Sequence, residues 1–143
     1  MLMTYDDFSR TTPMYTTRQL DELRKKLRSE GCPWPLMKWR GFLADDARLY
    51  NICEEENIPY STQEILSTTV PEAIRMIIYT TFSRGSLTPF QRCEILLNNK
   101  KYFDHVDLAV FAGVTQEDFI LVEQLIFLED EESLVQAIER EQS

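Results

Sequence analysis

The 143-residue chain is poor in the residue types that build metal and catalytic sites. It has one histidine, His105, and three widely spaced cysteines, Cys32, Cys53 and Cys93, without a CxxC pair. A zinc site needs four Cys or His ligands in short-spaced pairs, so we expect no metal site. His105 has no nearby nucleophile in the sequence, and we expect no catalytic residue and no cofactor. The odd cysteine count and an N-terminus interrupted at once by charged residues indicate reduced thiols and a cytoplasmic location.

Long hydrophobic runs are also missing. The longest apolar stretch, 119–128, contains Glu123 and Gln124 and is too short to span a bilayer. A hydrophobic fraction of 43% and a charged fraction of 27% are typical of a folded globular chain. We therefore expect a protein that does not enter the membrane.

Basic residues are almost absent from the last part of the chain. Residues 102–143 contain 11 acidic side chains and one basic residue, Arg140, whereas residues 1–101 contain 14 basic and 13 acidic side chains. The formal net charge of −9 therefore belongs to the C-terminal part. Because phosphate backbones are also negative, this part is predicted to be a poor electrostatic surface for nucleic acid.

Hydrophobic periodicity and turn residues divide the chain into three parts. Residues 1–16 lack a clear period and are predicted to form a flexible arm. We predict a small α/β domain over residues 17–86. Residues 87–143 are predicted to form a helical domain that resembles a helix-turn-helix around Gly113. The expected fold class is α+β. The predicted helices cover 17–30, 45–56, 71–82, 88–98, 104–112, 115–128 and 130–139, and the predicted strands cover 36–39, 42–44 and 63–66.

Two blocks of the sequence resemble the ParB-like partition proteins. The first is GCPWPLMKWRGFLADDARLYNICEEENIPYSTQEI, and the second is SRGSLTPFQRCEILL, which is similar to the segment that opens the family's helical DNA-binding part. A weaker similarity continues in LAVFAGVT. The resemblance implies a ParB/sulfiredoxin fold for the N-terminal half, a helix-turn-helix-like C-terminal half, and a bacterial, plasmid or phage setting.

The residues with which this family holds phosphate are replaced here. Aligned without gaps, the family's Gly, His and Arg become Asp46, Ala47 and Leu49, beside a retained Asp45. A carboxylate and an apolar side chain oppose an anion at a helix start, where the family has donors. Arg48 is adjacent, but one step along a helix turns a side chain by about 100°, so we expect it to point elsewhere.

A second family box, Glu-Asn-x-x-Arg, is reduced to its arginine. Thr80 and Thr81 stand in place of the carboxylate and the amide that would hold Mg²⁺, and Arg84 is retained. Two parts of one ligand site are lost together, so the resemblance implies a degenerate pocket and no enzyme activity. The degenerate phosphate pocket comprises Asp45, Asp46, Ala47, Leu49, Thr80, Thr81 and Arg84.

The helix-turn-helix departs from the family in the same direction. A recognition helix needs polar or basic side chains near its start, but no Lys or Arg occurs between Lys101 and Arg140. The apolar residues of 119–128 lie nearly all round the helix, which favours burial, a protein interface or a homodimer. The predicted partner surface comprises Glu117, Asp118, Glu129, Asp130, Glu131 and Glu132.

The preferred hypothesis is a non-catalytic, ParB-like regulatory or adaptor protein that acts through protein contacts, with an acidic surface that resembles DNA to a partner. One alternative is a DNA-binding regulator that uses the basic residues of 24–28 and 84–101. Its candidate nucleic-acid contacts are Arg84, Arg92, Lys100 and Lys101. A second alternative is a nucleotide-dependent ParB-type enzyme with an altered pocket.

Overall fold

The computed structural model describes residues 2–127 and 138–141 and has a mixed α/β architecture. Its first half contains α1 (Thr17–Glu30), β1 (Leu36–Trp39), β2 (Phe42–Leu43), α2 (Ala47–Glu55) and β3 (Thr62–Glu64). The elements that follow are α3 (Val70–Ser83), α4 (Pro89–Asn98), α5 (Leu108–Ala112) and α6 (Gln116–Phe127). Short 3₁₀ helices cover Asp6–Thr11 and Lys100–Tyr102. No helix among the described residues is long and apolar enough to cross a membrane.

The helix starts follow local capping signals that are legible in the sequence. Thr16 caps α1 and Thr88 caps α4, each within a capping box completed by a glutamine three residues later. Pro71 and Pro89 occupy the first turns of α3 and α4, where a missing N–H does no harm. The predicted helices up to residue 98 are confirmed within two residues at each end for this reason.

The predicted helix over 104–112 begins too early. His105 has a φ of 67°, in the left-handed region, and the Asp107 side chain accepts a hydrogen bond from Val110 N at 3.3 Å. Because Asp107 is the N-cap, α5 begins only at Leu108. The predicted last helix over 130–139 lies mostly outside the described residues.

The strands form a mixed three-stranded sheet in the order β2-β1-β3. β1 and β2 are antiparallel, with Trp39 opposite Phe42, and β1 and β3 are parallel, with Met37 opposite Gln63. The two residues of the β1–β2 turn, 40 and 41, both have positive φ, at 50° and 82°, as tight hairpins require. The parallel pair needs a crossover, and α2 supplies it.

Two buried clusters hold these elements together. The smaller cluster lies between α1, α2 and the β1–β2 hairpin, and it includes Leu27, Leu36 and Leu49. The larger cluster joins Trp39 of β1 with buried residues of α3, α4, α5 and α6 and with Ile138. The predicted boundary at residues 86 and 87 therefore falls within one continuous core.

The N-terminal arm packs against this core. Phe8 is 5% exposed and its ring contacts Tyr5 and Trp39, with ring centroids 5.0 and 5.7 Å away. Leu43 N donates to Met3 O at 2.7 Å, which extends the β2 edge of the sheet by one bridge. The arm's flexibility stays a prediction, but its position is defined: it covers the start of α2.

Candidate functional site

The backbone N–H groups at the start of α2 are bonded to oxygens of the protein itself. Asp46 is the N-cap, and its Oδ1 accepts from Arg48 N at 2.9 Å and from Leu49 N at 3.3 Å. Ala47 N donates to Thr12 Oγ1 of the arm at 3.2 Å. These are the donors with which a helix N-terminus would hold a phosphate. A carboxylate and a hydroxyl of the chain occupy that position.

Asp45 and Arg84 form a buried ion pair beside this helix start. Arg84 Nη1 lies 2.5 Å from Asp45 Oδ1, and Arg84 Nη2 lies 2.9 Å from Oδ2. The two side chains are 12% and 2% exposed, and Met37 N also donates to Asp45 Oδ2 at 2.8 Å. The Arg84 guanidinium stacks on the Trp34 ring, 4.3 Å from its centroid. The arginine of the predicted phosphate pocket is therefore bound to a carboxylate of this chain.

Tyr15 completes the enclosure of Asp46. Its hydroxyl donates to Asp46 Oδ2, the oxygen that does not cap α2. Burial raises the pKa of the Asp46 carboxyl, and burial together with the Asp46 charge raises the pKa of the Tyr15 hydroxyl. The hydrogen bond thus joins two groups that are both poorly solvated, and it leaves neither Asp46 oxygen open to a ligand.

The remaining members of the predicted pocket face other parts of the fold. Leu49 is 2% exposed and belongs to the smaller core. Thr81 is buried and its hydroxyl donates to Ile77 O at 2.9 Å, within α3, while Thr80 is half-buried. Arg48 does not follow Leu49 into the core but borders a cavity that Asp45 and Ala47 also line. The structure therefore keeps Asp45, Asp46, Ala47 and Arg84 at one place and disperses Leu49, Thr80 and Thr81.

Sequence reasoning missed two functional residues of this site, Thr12 and Tyr15. Both belong to the arm, which carries no hydrophobic period and no motif. Their contacts with Ala47 and Asp46 span 35 and 31 residues. No local signal in the sequence indicates such contacts, because only the tertiary fold places the arm across α2.

Some of the candidate nucleic-acid contacts bind other parts of the chain, and others are exposed to solvent. Arg92 Nε donates to Ala112 O at 2.7 Å and its Nη1 donates to Leu87 O at 2.8 Å, so this side chain ties α4 to the end of α5. Lys100 and Lys101 lie in the 3₁₀ helix after α4 and are exposed. Arg84 and Arg92 are thus used inside the fold, and the two lysines face solvent.

Some basic residues of α1 also form ion pairs within the chain, and others do not. Arg24 and Arg28 lie within 3.5 Å or less of the carboxylates of Glu55 and Glu56, at the end of α2. Lys25 and Lys26 are exposed and form no ion pair within the described residues. These ion pairs lower the local positive charge of α1.

α5 and α6 are joined by a short turn that begins at Gly113. Gly113 has a φ of 77°, and this left-handed residue ends α5. The start of α6 exposes Glu117 and Asp118, and the next turn exposes Ile120 and Leu121 to 50% and 55%. The exposed surface at the start of α6 is therefore acidic and then apolar. The other predicted partner residues, Glu129, Asp130, Glu131 and Glu132, lie outside the described residues.

The rest of the described chain holds no group of three or more His, Cys, Asp or Glu residues placed to share a metal ion. In comparisons with known proteins, no protein-family model, no curated protein and no solved structure matches the chain.

Proposed function

We propose that the protein is a non-catalytic, ParB-like regulatory or adaptor protein that acts through protein contacts in bacterial, plasmid or phage DNA maintenance or gene control. One observation carries the proposal: the N–H donors at the start of α2 and the guanidinium of Arg84 are all bound to side-chain oxygens of the chain itself. A phosphate group would have to displace each of them.

The energy of that displacement argues against a nucleotide-dependent enzyme. Freeing Arg84 leaves Asp45 as a buried, unpaired charge, and removing one partner from a buried ion pair typically costs about 3–5 kcal/mol. The phosphate would also stand beside the carboxylates of Asp45 and Asp46, whose charges repel it. We infer that the altered pocket stabilises the scaffold and binds no nucleotide.

The surface of α6 supports protein contact over DNA contact. Exposed Ile120 and Leu121 gain by burial against another apolar surface, at about 25 cal/mol per Å² removed from water. Glu117 and Asp118 at the start of the same helix repel phosphates and attract basic side chains. A partner with a basic and apolar surface fits this combination. The basic side chains of such a partner would bind the acidic start of α6 as they bind the phosphates of DNA.

Calorimetry tests the loss of the nucleotide site. The intact protein is titrated with CTP and with ATP in the presence of Mg²⁺, and we expect no binding heat. Clear binding that disappears in Arg84→Ala would show that the pocket still functions and would reject the proposal.

A second experiment tests the choice between DNA and a protein partner. Fluorescence anisotropy with duplex DNA at about physiological salt should show no sub-micromolar binding. Tight binding that is weakened by a Lys100→Glu, Lys101→Glu double variant would instead establish the DNA-binding alternative.

Affinity capture from the native cells then tests the proposed surface directly. The wild type should retain a specific partner, and an Ile120→Ser, Leu121→Ser variant should lose it. A Lys25→Ser, Lys26→Ser variant on α1 is the matched control and should retain it. Equal capture by all three proteins would place the partner surface elsewhere.

A further inference from the structure

A cavity of about 550 Å³ lies between the N-terminal arm, α2 and α4. The arm contributes Arg10 and Met14 to its wall, α2 contributes Arg48, and α4 contributes Glu94 and Asn98. The volume is in the range of small-molecule sites in proteins. The cavity lies beside the closed start of α2, and Thr12, Tyr15 and Asp45 of that closed site also line it.

The arm is held in place by buried polar side chains of α4 and the residue that follows it. Gln91 Nε2 donates to Met14 O at 2.7 Å, and Asn99 Nδ2 donates to Arg10 O at 3.1 Å. Gln91 and Asn99 are fully buried. The wall that the arm provides is therefore a defined part of the fold.

Glu94 is the unsatisfied group on this cavity. It is only 6% exposed, and its Oε2 has no hydrogen-bond partner among the described residues. The Met14 backbone provides one hydrogen bond to the carboxyl, and burial nevertheless raises the pKa of Glu94 to about 7. A buried carboxylate without a donor is costly, and glutamate's terminal torsion is soft enough to turn either oxygen to the cavity.

The exposed lining of the cavity carries two arginines and one further acid, Asp6. Arg10 and Arg48 are exposed, and neither forms an ion pair or a side-chain hydrogen bond within the described residues. Asn51 and Asn98 also line the cavity and have no side-chain hydrogen bond within that part of the chain. The cavity thus has a buried acid on one side, free guanidinium groups at the rim, and carboxamides that can donate or accept.

We propose that this cavity binds a small zwitterionic amine of the amino-acid class, with the ammonium group on Glu94 and the acidic group on Arg48. The ammonium supplies the donors that Glu94 lacks, and the acid supplies the charge that Arg48 lacks. Tyr5 and Phe8 border the same cavity and provide apolar surface for the carbon chain between the two charges.

Calorimetry of the intact chain with a chain-length series tests this assignment. The probes are glycine, 4-aminobutyrate, 6-aminohexanoate and lysine, with butylamine and butyrate as the single-charge controls. We expect one or more zwitterions to bind about tenfold or more tightly than either control, because each charge-assisted contact is worth that much. The best chain length measures the separation of the two charged contacts.

Two variants and one control locate the site. Glu94→Gln and Arg48→Gln should each weaken the best zwitterion by about tenfold or more, while Glu117→Gln on α6 should leave its affinity unchanged. Circular dichroism verifies that each variant is folded. The proposal is overturned if no probe binds at about 10 mM, if butyrate or butylamine binds as well as the zwitterions, or if Glu94→Gln binds with wild-type affinity.

Discussion

Replacing Glu94 by glutamine should make the protein more stable at neutral and alkaline pH. The side chain is 6% exposed, one of its oxygens has no partner, and burial raises its pKa from 4.5 to about 7. Glutamine has nearly the same shape and carries no charge. The substitution therefore removes the cost of ionising a buried carboxyl and leaves the packing of α4 against the arm in place.

The sign and the size follow from the two pKa values. Because the folded state binds this proton more tightly than the unfolded state, the wild type loses stability as the pH rises from about 4.5 to about 7. Each pKa unit corresponds to about 1.4 kcal/mol, so the loss from Glu94 is on the order of 3 kcal/mol above pH 7. Well below pH 4.5, where the carboxyl is protonated in both states, the variant and the wild type should be about equally stable.

Urea unfolding followed by the fluorescence of Trp34 and Trp39 measures this difference at several pH values between about 5 and 8. Burial also raises the pKa of Asp46 and of Glu141, so the wild-type profile contains their contributions. The quantity to examine is the stability of Glu94→Gln minus that of the wild type. Glu117→Gln, an exposed change on α6, should give a difference near zero throughout. A difference for Glu94→Gln that does not grow with pH would refute the reasoning.

Three further substitutions test the packing around the site, each by urea or thermal unfolding. Asp45→Asn should destabilise by about 3–5 kcal/mol because it leaves Arg84 buried without its partner, and equal stability would show that the pair is solvated. Arg92→Ala should cost about 2–4 kcal/mol through the lost hydrogen bonds to two backbone carbonyls, whereas an effect below about 0.5 kcal/mol would mean that they are not formed in solution. Gly113→Ala should cost about 1 kcal/mol because its φ of 77° is strained for alanine, and a stabilising effect would contradict the turn geometry.

The regular elements were largely predictable because their signals are local. The threonine before α4, the prolines in the first turns of α3 and α4, and the turn at residues 40 and 41 each act within a few residues of chain. The cap of α1 was expected at Thr17, and the structure has it one residue earlier, at Thr16. α5 was predicted to begin too early because nothing in the sequence indicated that His105 adopts a left-handed conformation. The pairing of β3 beside β1 spans more than twenty residues and was not predicted.

The candidate site was predictable only in part. A gapless alignment indicated that Asp45, Asp46 and Arg84 belong to one altered pocket, and they do lie together. The same alignment described that pocket only by the phosphate-binding residue types that are replaced in it. It could not show that Asp46 caps α2 or that Arg84 binds Asp45, since both depend on distances between atoms.

By itself, the sequence determined which chemical groups are present and where the charge lies. The acidic surplus after residue 101, the residue types at the start of α2 and the helix starts depend on residue identity and on short-range backbone preferences. Only the tertiary structure decided what the start of α2 and Arg84 bind. Thr12 and Tyr15, at the end of the arm that precedes α1, form hydrogen bonds with the start of α2. Glu94 becomes buried where the arm packs on α4. Hydrogen bonding and desolvation depend on distance and exclusion of water, and these exist only after the chain has folded.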